Sequence, residues 1–292
     1  MVTNEGTDVN TWIQAKTPSF GTLIVNAVTY GDGKFVAVGE AGKIAYSSDA
    51  NIWTQAGALS FGTTFVYGVT YGDGKFVAVG YDGIAYSSDV NTWTHAGTSF
   101  RMEAVSGVTY GNGKFVAVGG NGLIAYSVDA NTWVQSETPS FETASVYGVT
   151  YGDGKFVAVG YDGKIAYSVD ANTWVRAEAP SFEMSIVRGV KYGGGKFVAV
   201  GDDGKIAYSV DANTWTRAET SSFGTTDILA VTYGDGKFVA VGYDGKIAYS
   251  SDANTWTQAG TSIFGTSTVW GVTYGDGKFV AVGSSGKIAF SC

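Results

Sequence analysis

Three residue types are nearly missing: the 292-residue chain holds 3 prolines, 1 histidine and 1 cysteine. A lone cysteine, Cys292, excludes an intramolecular disulfide framework. The lone histidine, His95, stands where Gln55 and Gln258 stand in equivalent stretches, so no Ser-His pair or histidine metal site is expected. Amphipathic helices are missing too, since no segment combines a 3.6-residue apolar period with capping signals. Nor does any apolar run approach the length of a membrane span. The first ten residues, MVTNEGTDVN, lack the apolar core of a signal peptide, and the compartment, secreted or cytoplasmic, stays open. Clustered cations are also lacking. With a net charge of -8, that argues against nucleic acid and anionic membrane surfaces, both of which need a basic face.

Glycine and aromatic residues are plentiful instead, at 43 glycines and 14% Phe, Trp and Tyr, as expected of short strands joined by tight turns. The tyrosine of "VTYG", or of its variant "VKYG", recurs at 30, 71, 110, 151, 192, 233 and 274. Each unit reads as four strands. "YGVTYG" leads through Asp73-Gly74, a two-residue hairpin turn, into "KFVAVG", whose two faces are both apolar and so both covered. A Gly-containing tip such as "YDG" precedes "KIAYS", and a fourth strand carries the tryptophan of "NTWVRA". Seven such units of 40 to 41 residues predict an all-β, seven-bladed β-propeller with four antiparallel strands per blade, one domain over residues 1–292. A solenoid would need capping units with a polar outer face, and none is present. The chain begins with a fourth strand, residues 8–16, and ends with a third, residues 286–292. The N-terminal strand is therefore expected to complete the last blade and remove an open edge.

One further motif recurs in every unit: Asp8/Trp12, Asp49/Trp53, Asp89/Trp93, Asp129/Trp133, Asp170/Trp174, Asp211/Trp215 and Asp252/Trp256. "SVDANTW" and "SSDANTW" resemble the Asp-box, or BNR, repeat of sialidase-like propellers, one residue shorter and with Asn where that family has Gly. The resemblance implies a propeller in which the box is structural. Elementary chemistry agrees: the carboxylate accepts backbone N–H groups across the turn, the Asn supplies left-handed backbone, and the Trp fills the gap between sheets. One carboxylate per loop is too few for calcium, so neither metal nor cofactor is expected.

Positions that differ between near-identical units are those the scaffold does not dictate. The residue before "GV" or "AV" reads Asn26, Tyr67, Ser106, Tyr147, Arg188, Leu229 and Trp270, and the second-to-third-strand tips include Tyr81, Tyr161 and Tyr243. Antiparallel topology puts both sets, with the fourth-to-first connections, at one end of the propeller, opposite the uniform "GDGK" turns and Asp boxes. The candidate ligand-binding residues are therefore Tyr67, Tyr147, Arg188 and Trp270 at the channel mouth, with Tyr81, Tyr161 and Tyr243 further out. The expected ligand is a carbohydrate, stacked on aromatic rings as in a lectin, and the alternative is a protein or peptide partner on a scaffold of duplicated blades. Tyrosines that merely cap blade ends, after duplication and drift, fit the same pattern.

Catalysis is not expected. Sialidase-like enzymes hold their substrate with three arginines. Here Arg176 and Arg217 fall on outer strands, leaving Arg101 and Arg188 for the variable end. A carboxylate pair, Glu40 with Asp202 or Asp203, is the remaining enzymatic arrangement. Phenylalanines 20, 61, 100, 141, 182, 223 and 264 read as buried anchors of the connections.

Overall fold

The computed structural model describes residues 8–16, 19–57, 61–98, 104–137, 140–178, 182–260 and 263–291. Seven sheets form a seven-bladed propeller. In the first blade, Val25–Gly31 pairs with Lys34–Gly39, which pairs with Ile44–Ser47, which pairs with Thr54–Gln55, all antiparallel. In the last blade Trp12–Gln14 lies against Ile288–Ser291, with Trp12 opposite Ser291 and Gln14 opposite Ala289. Head and tail thus share one sheet, as expected. Among the described residues no helix is long and apolar enough to cross a membrane.

Local chemistry explains each step of the blade. Asp73 and Gly74 both take positive φ, 46° and 70°, between the paired Gly72 and Lys75, which is the mirror-image turn that matches strand twist. The second strands lie between neighbouring sheets, and Phe35, Val36, Ala37 and Val38 are all fully buried. Their apolar side chains on both faces are therefore the core itself, distributed as seven inter-blade clusters that include Trp12 and Val9 at the seam.

Blades approach so closely at the "TYG" glycine that no side chain fits there. A Cβ added to Gly111 would lie 2.0 Å from Cγ of Tyr151 in the next blade, and the same contact closes the ring, where Gly275 faces Tyr30 at 2.1 Å. Each of those tyrosines also packs on its own blade's phenylalanine, as Tyr151 does on Phe156 with ring centroids 4.7 Å apart.

The repeated Asp and Trp act as structural fasteners. Asp49 Oδ1 accepts the N–H groups of Asn51 and Ile52 at 2.8 Å and the Ser47 hydroxyl at 2.9 Å, while the Trp53 indole donates to the Ala50 carbonyl at 2.9 Å. The indoles of Trp93, Trp174, Trp215 and Trp256 donate in the same way to the carbonyls of Val90, Ala171, Ala212 and Ala253, at 3.0, 3.1, 3.1 and 3.2 Å. Their exposures are 5%, 4%, 4% and 3%, and each belongs to a different inter-blade cluster. Burial thus puts these four tryptophans in the core and not at a ligand site, so the box rings contribute no binding surface. The backbone and hydroxyl bonds hold all seven box carboxyls below the ordinary value of 3.8, and Asp252 falls to about 2. One expectation is corrected. The left-handed residue of the box is not the Asn but the residue before it, such as Ala50 at φ 66° and Ala130 at φ 65°.

The Asn serves the neighbouring blade instead. Asn51 accepts Lys16 N–H through both its backbone and side-chain oxygens, Asn91 Oδ1 accepts Gly57 N–H, and Asn254 accepts Glu219 N–H. Each strap is a chain segment leaving one outer strand and crossing to the next. In the third blade the strap is regular enough to add a fifth, parallel strand, Gly97–Thr98 beside Thr132–Gln135, a departure from four strands per blade. Phe20, Phe61, Phe141, Phe182, Phe223 and Phe264 anchor the connections, all buried, and Phe100 lies outside the described residues.

Candidate functional site

The seven inner strands surround a cavity of about 790 Å³. All seven variable first-strand positions, Asn26, Tyr67, Ser106, Tyr147, Arg188, Leu229 and Trp270, line it. The backbone explains why. In every blade the pairing register slips at this residue, between Val66 and Gly68 or Val187 and Gly189 for example, so it is the extra residue of a β-bulge. A bulge leaves that residue out of the ladder and re-aims its side chain. The scaffold therefore presents seven side chains to the mouth without requiring any particular identity.

Contacts confirm that tips and inner strands share one end. Arg188 pairs with Asp202 of its own tip and, at 3.7 Å, with Asp227 of the next connection. The Trp270 indole donates to Ser284 Oγ at 3.1 Å and meets the Tyr243 ring edge-on at 6.0 Å. Phe65 stacks on Tyr67 with centroids 6.0 Å apart and planes 6° from parallel. Burial raises the Tyr67 phenol above its ordinary value, with the neighbouring Tyr81 adding to the effect. Desolvation also raises Asp202, outweighing the Arg188 guanidinium, while Asp227 and Asp203 push in the same direction. One guanidinium thus pairs with two carboxyls at the mouth.

The predicted residues divide into two sets. Tyr67, Tyr147, Arg188 and Trp270 form the mouth, whereas Tyr81, Tyr161 and Tyr243 do not line the cavity. Tyr81 and Tyr161 are exposed at 61% and 47%, and Tyr243 is half-buried against Trp270. Of the tryptophans, Trp270 alone lines the cavity, and the box rings Trp93, Trp174, Trp215 and Trp256 do not reach it. Arg101 lies outside the described residues, and Arg176 and Arg217 are exposed on outer strands. Glu40 and Asp202 are not brought together as a pair. Glu40 accepts the Ile24 N–H at 2.9 Å in the first blade, and Asp202 is engaged by Arg188 in the fifth. His95 is on the outer strand Thr94–His95, edge-on to Phe61 at 5.9 Å. Among the described residues no group of three or more His, Cys, Asp or Glu could hold a metal ion.

Sequence reasoning missed two groups. Phe65 belongs to a long connection that reads only as linker, although it is 44% exposed beside Tyr67. Lys191 stood in plain view as the departure in "VKYG", at the place where the other six units have threonine, and it too lines the cavity.

No protein-family model matches the sequence, and no curated protein matches it. Solved structures do share its fold. A catalytically inactive virginiamycin B lyase from Staphylococcus aureus, solved with quinupristin, superposes with a TM-score of 0.85 at 16% identity over 96% of this chain and 98% of that one. YCF48 bound to D1 peptide gives 0.76 at 14% identity, covering 100% and 99%. The WD40 propeller domain of Doa1 gives 0.76 at 15%, covering 97% of each chain. At such identities the likeness concerns the fold alone.

Proposed function

We propose that this chain is a non-catalytic binding module whose variable end docks a protein or peptide segment. The observation that carries the reading is the aromatic collar at the channel mouth: the exposed Phe65 stacked on Tyr67 in one blade, and Trp270 edge-on to Tyr243 across two others. Such rings offer large contact area with few rotatable bonds, the composition that dominates protein interfaces. Arg188 between Asp202 and Asp227 supplies a polar, orientation-fixing element beside them. Propellers of the same fold support this class of partner, one having been solved with a peptide and another being a WD40 domain. Another is a lyase, so the non-catalytic reading rests on this chain's own residues. Neither Glu40 nor Asp202 is positioned for paired acid chemistry.

Membership of the Asp-box family belongs to the same proposal, supported by six boxes with the same Asp and Trp bonding and a seventh, at Asp8, closely similar. Carbohydrate binding shares only the rings as support and is the competing outcome. Selection from a displayed random-peptide library, repeated with a Tyr67→Ala/Trp270→Ala variant, separates them. The proposal requires enriched peptides that the variant no longer retains. Enrichment that survives in the variant, or none at all alongside glycan-array binding eluted by free sugar, would refute it.

A further inference from the structure

Deeper in the channel, three residues below the mouth position on each inner strand and so roughly 10 Å further in, lies a ring with one exception. Six blades supply Thr29, Thr70, Thr109, Thr150, Thr232 and Thr273, and the fifth supplies Lys191. Thr150 and Thr232, the two neighbours of Lys191 in the ring, are also the buried ones, at 3% and 4% exposure. The Lys191 ammonium has no carboxylate and no hydrogen-bond partner among the described residues. In a chain of net charge -8, no Asp or Glu among the described residues lines the cavity, and the charged lining groups among them, Lys191 and Arg188, are both cationic. Arg188 is already paired at the mouth, so among the described lining residues Lys191 is the cation with no counter-charge.

We propose that the channel is a carboxylate-binding site in which the Lys191 ammonium supplies the counter-charge, threonine hydroxyls supply further donors, and the bulge residues above confine the rest of the ligand. An ammonium offers three donors, and a hydroxyl donates as well as accepts, so the ring suits an anion of few atoms. A cavity of about 790 Å³ accommodates a small organic acid or the carboxyl terminus of a peptide. Desolvation in the channel holds the Lys191 amine below the ordinary lysine value, and an anion beside it would oppose that shift. The inference does not rest on the peptide-docking reading of the mouth.

The test uses the whole chain with 13C-labelled lysine side chains, Lys191 being assigned by its loss in Lys191→Thr. That substitution gives the fifth blade the residue its six siblings already carry, so folding is preserved. Benzoate should move the Lys191 resonance saturably and raise its titration midpoint, whereas neutral benzamide should not. Affinity for benzoate should fall by at least about tenfold in Lys191→Thr and in the length-matched Lys191→Met. Acetylglycine and acetyl-tetraglycine, both as free acids, separate the two sources: a response to the first alone assigns small acids, and a response to both admits a peptide terminus. A Lys191 resonance indifferent to all three acids, or unchanged benzoate affinity in Lys191→Met, overturns the proposal.

Discussion

The closing strand offers a direct test of the fold, through Trp12→Ala compared with Trp133→Ala. Both indoles are buried, at 5% and 0% exposure, and both donate to a carbonyl three residues back at 3.0 Å. Truncating a buried tryptophan costs about 3–5 kcal/mol, including about 1 kcal/mol for the hydrogen bond. For a domain of this size that lowers the melting temperature by roughly 10 °C. The two sites differ in one respect. The Trp133 strand is held by chain on both sides, whereas residues 8–16 are joined to the propeller on one side only. Without its anchor the head strand can leave as a unit, also exposing Val9 and Ala15 and freeing the edge of Ile288–Ser291. Trp12→Ala is therefore expected to cost at least as much as Trp133→Ala, read from denaturant unfolding followed by circular dichroism. Amide exchange at Phe290, opposite Ile13, should accelerate in the first variant alone. A cost below about 1 kcal/mol for Trp12→Ala, beside a full cost for Trp133→Ala, would show that the head strand does not close the ring.

Two further predictions concern the repeated fasteners. The box carboxyls are depressed in the folded protein, so their stabilisation is present above 3.8 and is lost as pH falls through the folded values, about 2 for Asp252. Denaturant midpoints should thus drop between roughly pH 4 and pH 2, and the deficit of Asp252→Asn seen at neutral pH should vanish at the acid end; a deficit constant with pH contradicts the assignment. Gly111→Ala places a methyl 2.0 Å from Cγ and 2.5 Å from Cβ of Tyr151 and should cost about 3 kcal/mol or more, and the penalty should largely disappear in a Tyr151→Gly background, which removes both atoms; an undiminished penalty there locates the strain elsewhere.

Much of this architecture could be read from the residues because each unit repeats the same local instruction. Asp73-Gly74 names its turn, the doubly apolar "KFVAVG" names a strand covered on both faces, and the split blade at the termini names its own closure. The straps were not legible, since Asn51 and Asn254 have the chemistry of turn residues and nothing in a single unit says that their oxygens serve the neighbouring blade. The mouth residues were found by comparing units, yet their common cause, the bulge that re-aims them, is a property of register and invisible in composition. Phe65 was missed for a related reason: an aromatic in a connection looks the same in sequence whether it anchors the core, as Phe61 does, or faces solvent.

Seven nearly equal blades impose seven nearly equal surfaces, so any specific chemistry must reside where the symmetry breaks. Several of those breaks fall in the fifth blade. The strand Val187–Gly193 carries Arg188 and Lys191 together, its hairpin has Gly194 where other blades have Asp or Asn, and its tip supplies Asp202. Here they add cationic groups facing one cavity and balance only the outer one with carboxylates. Desolvation in the channel works against the Lys191 ammonium. It is tolerable if a ligand completes it, and the six sibling threonines show what the position holds when no charge is required.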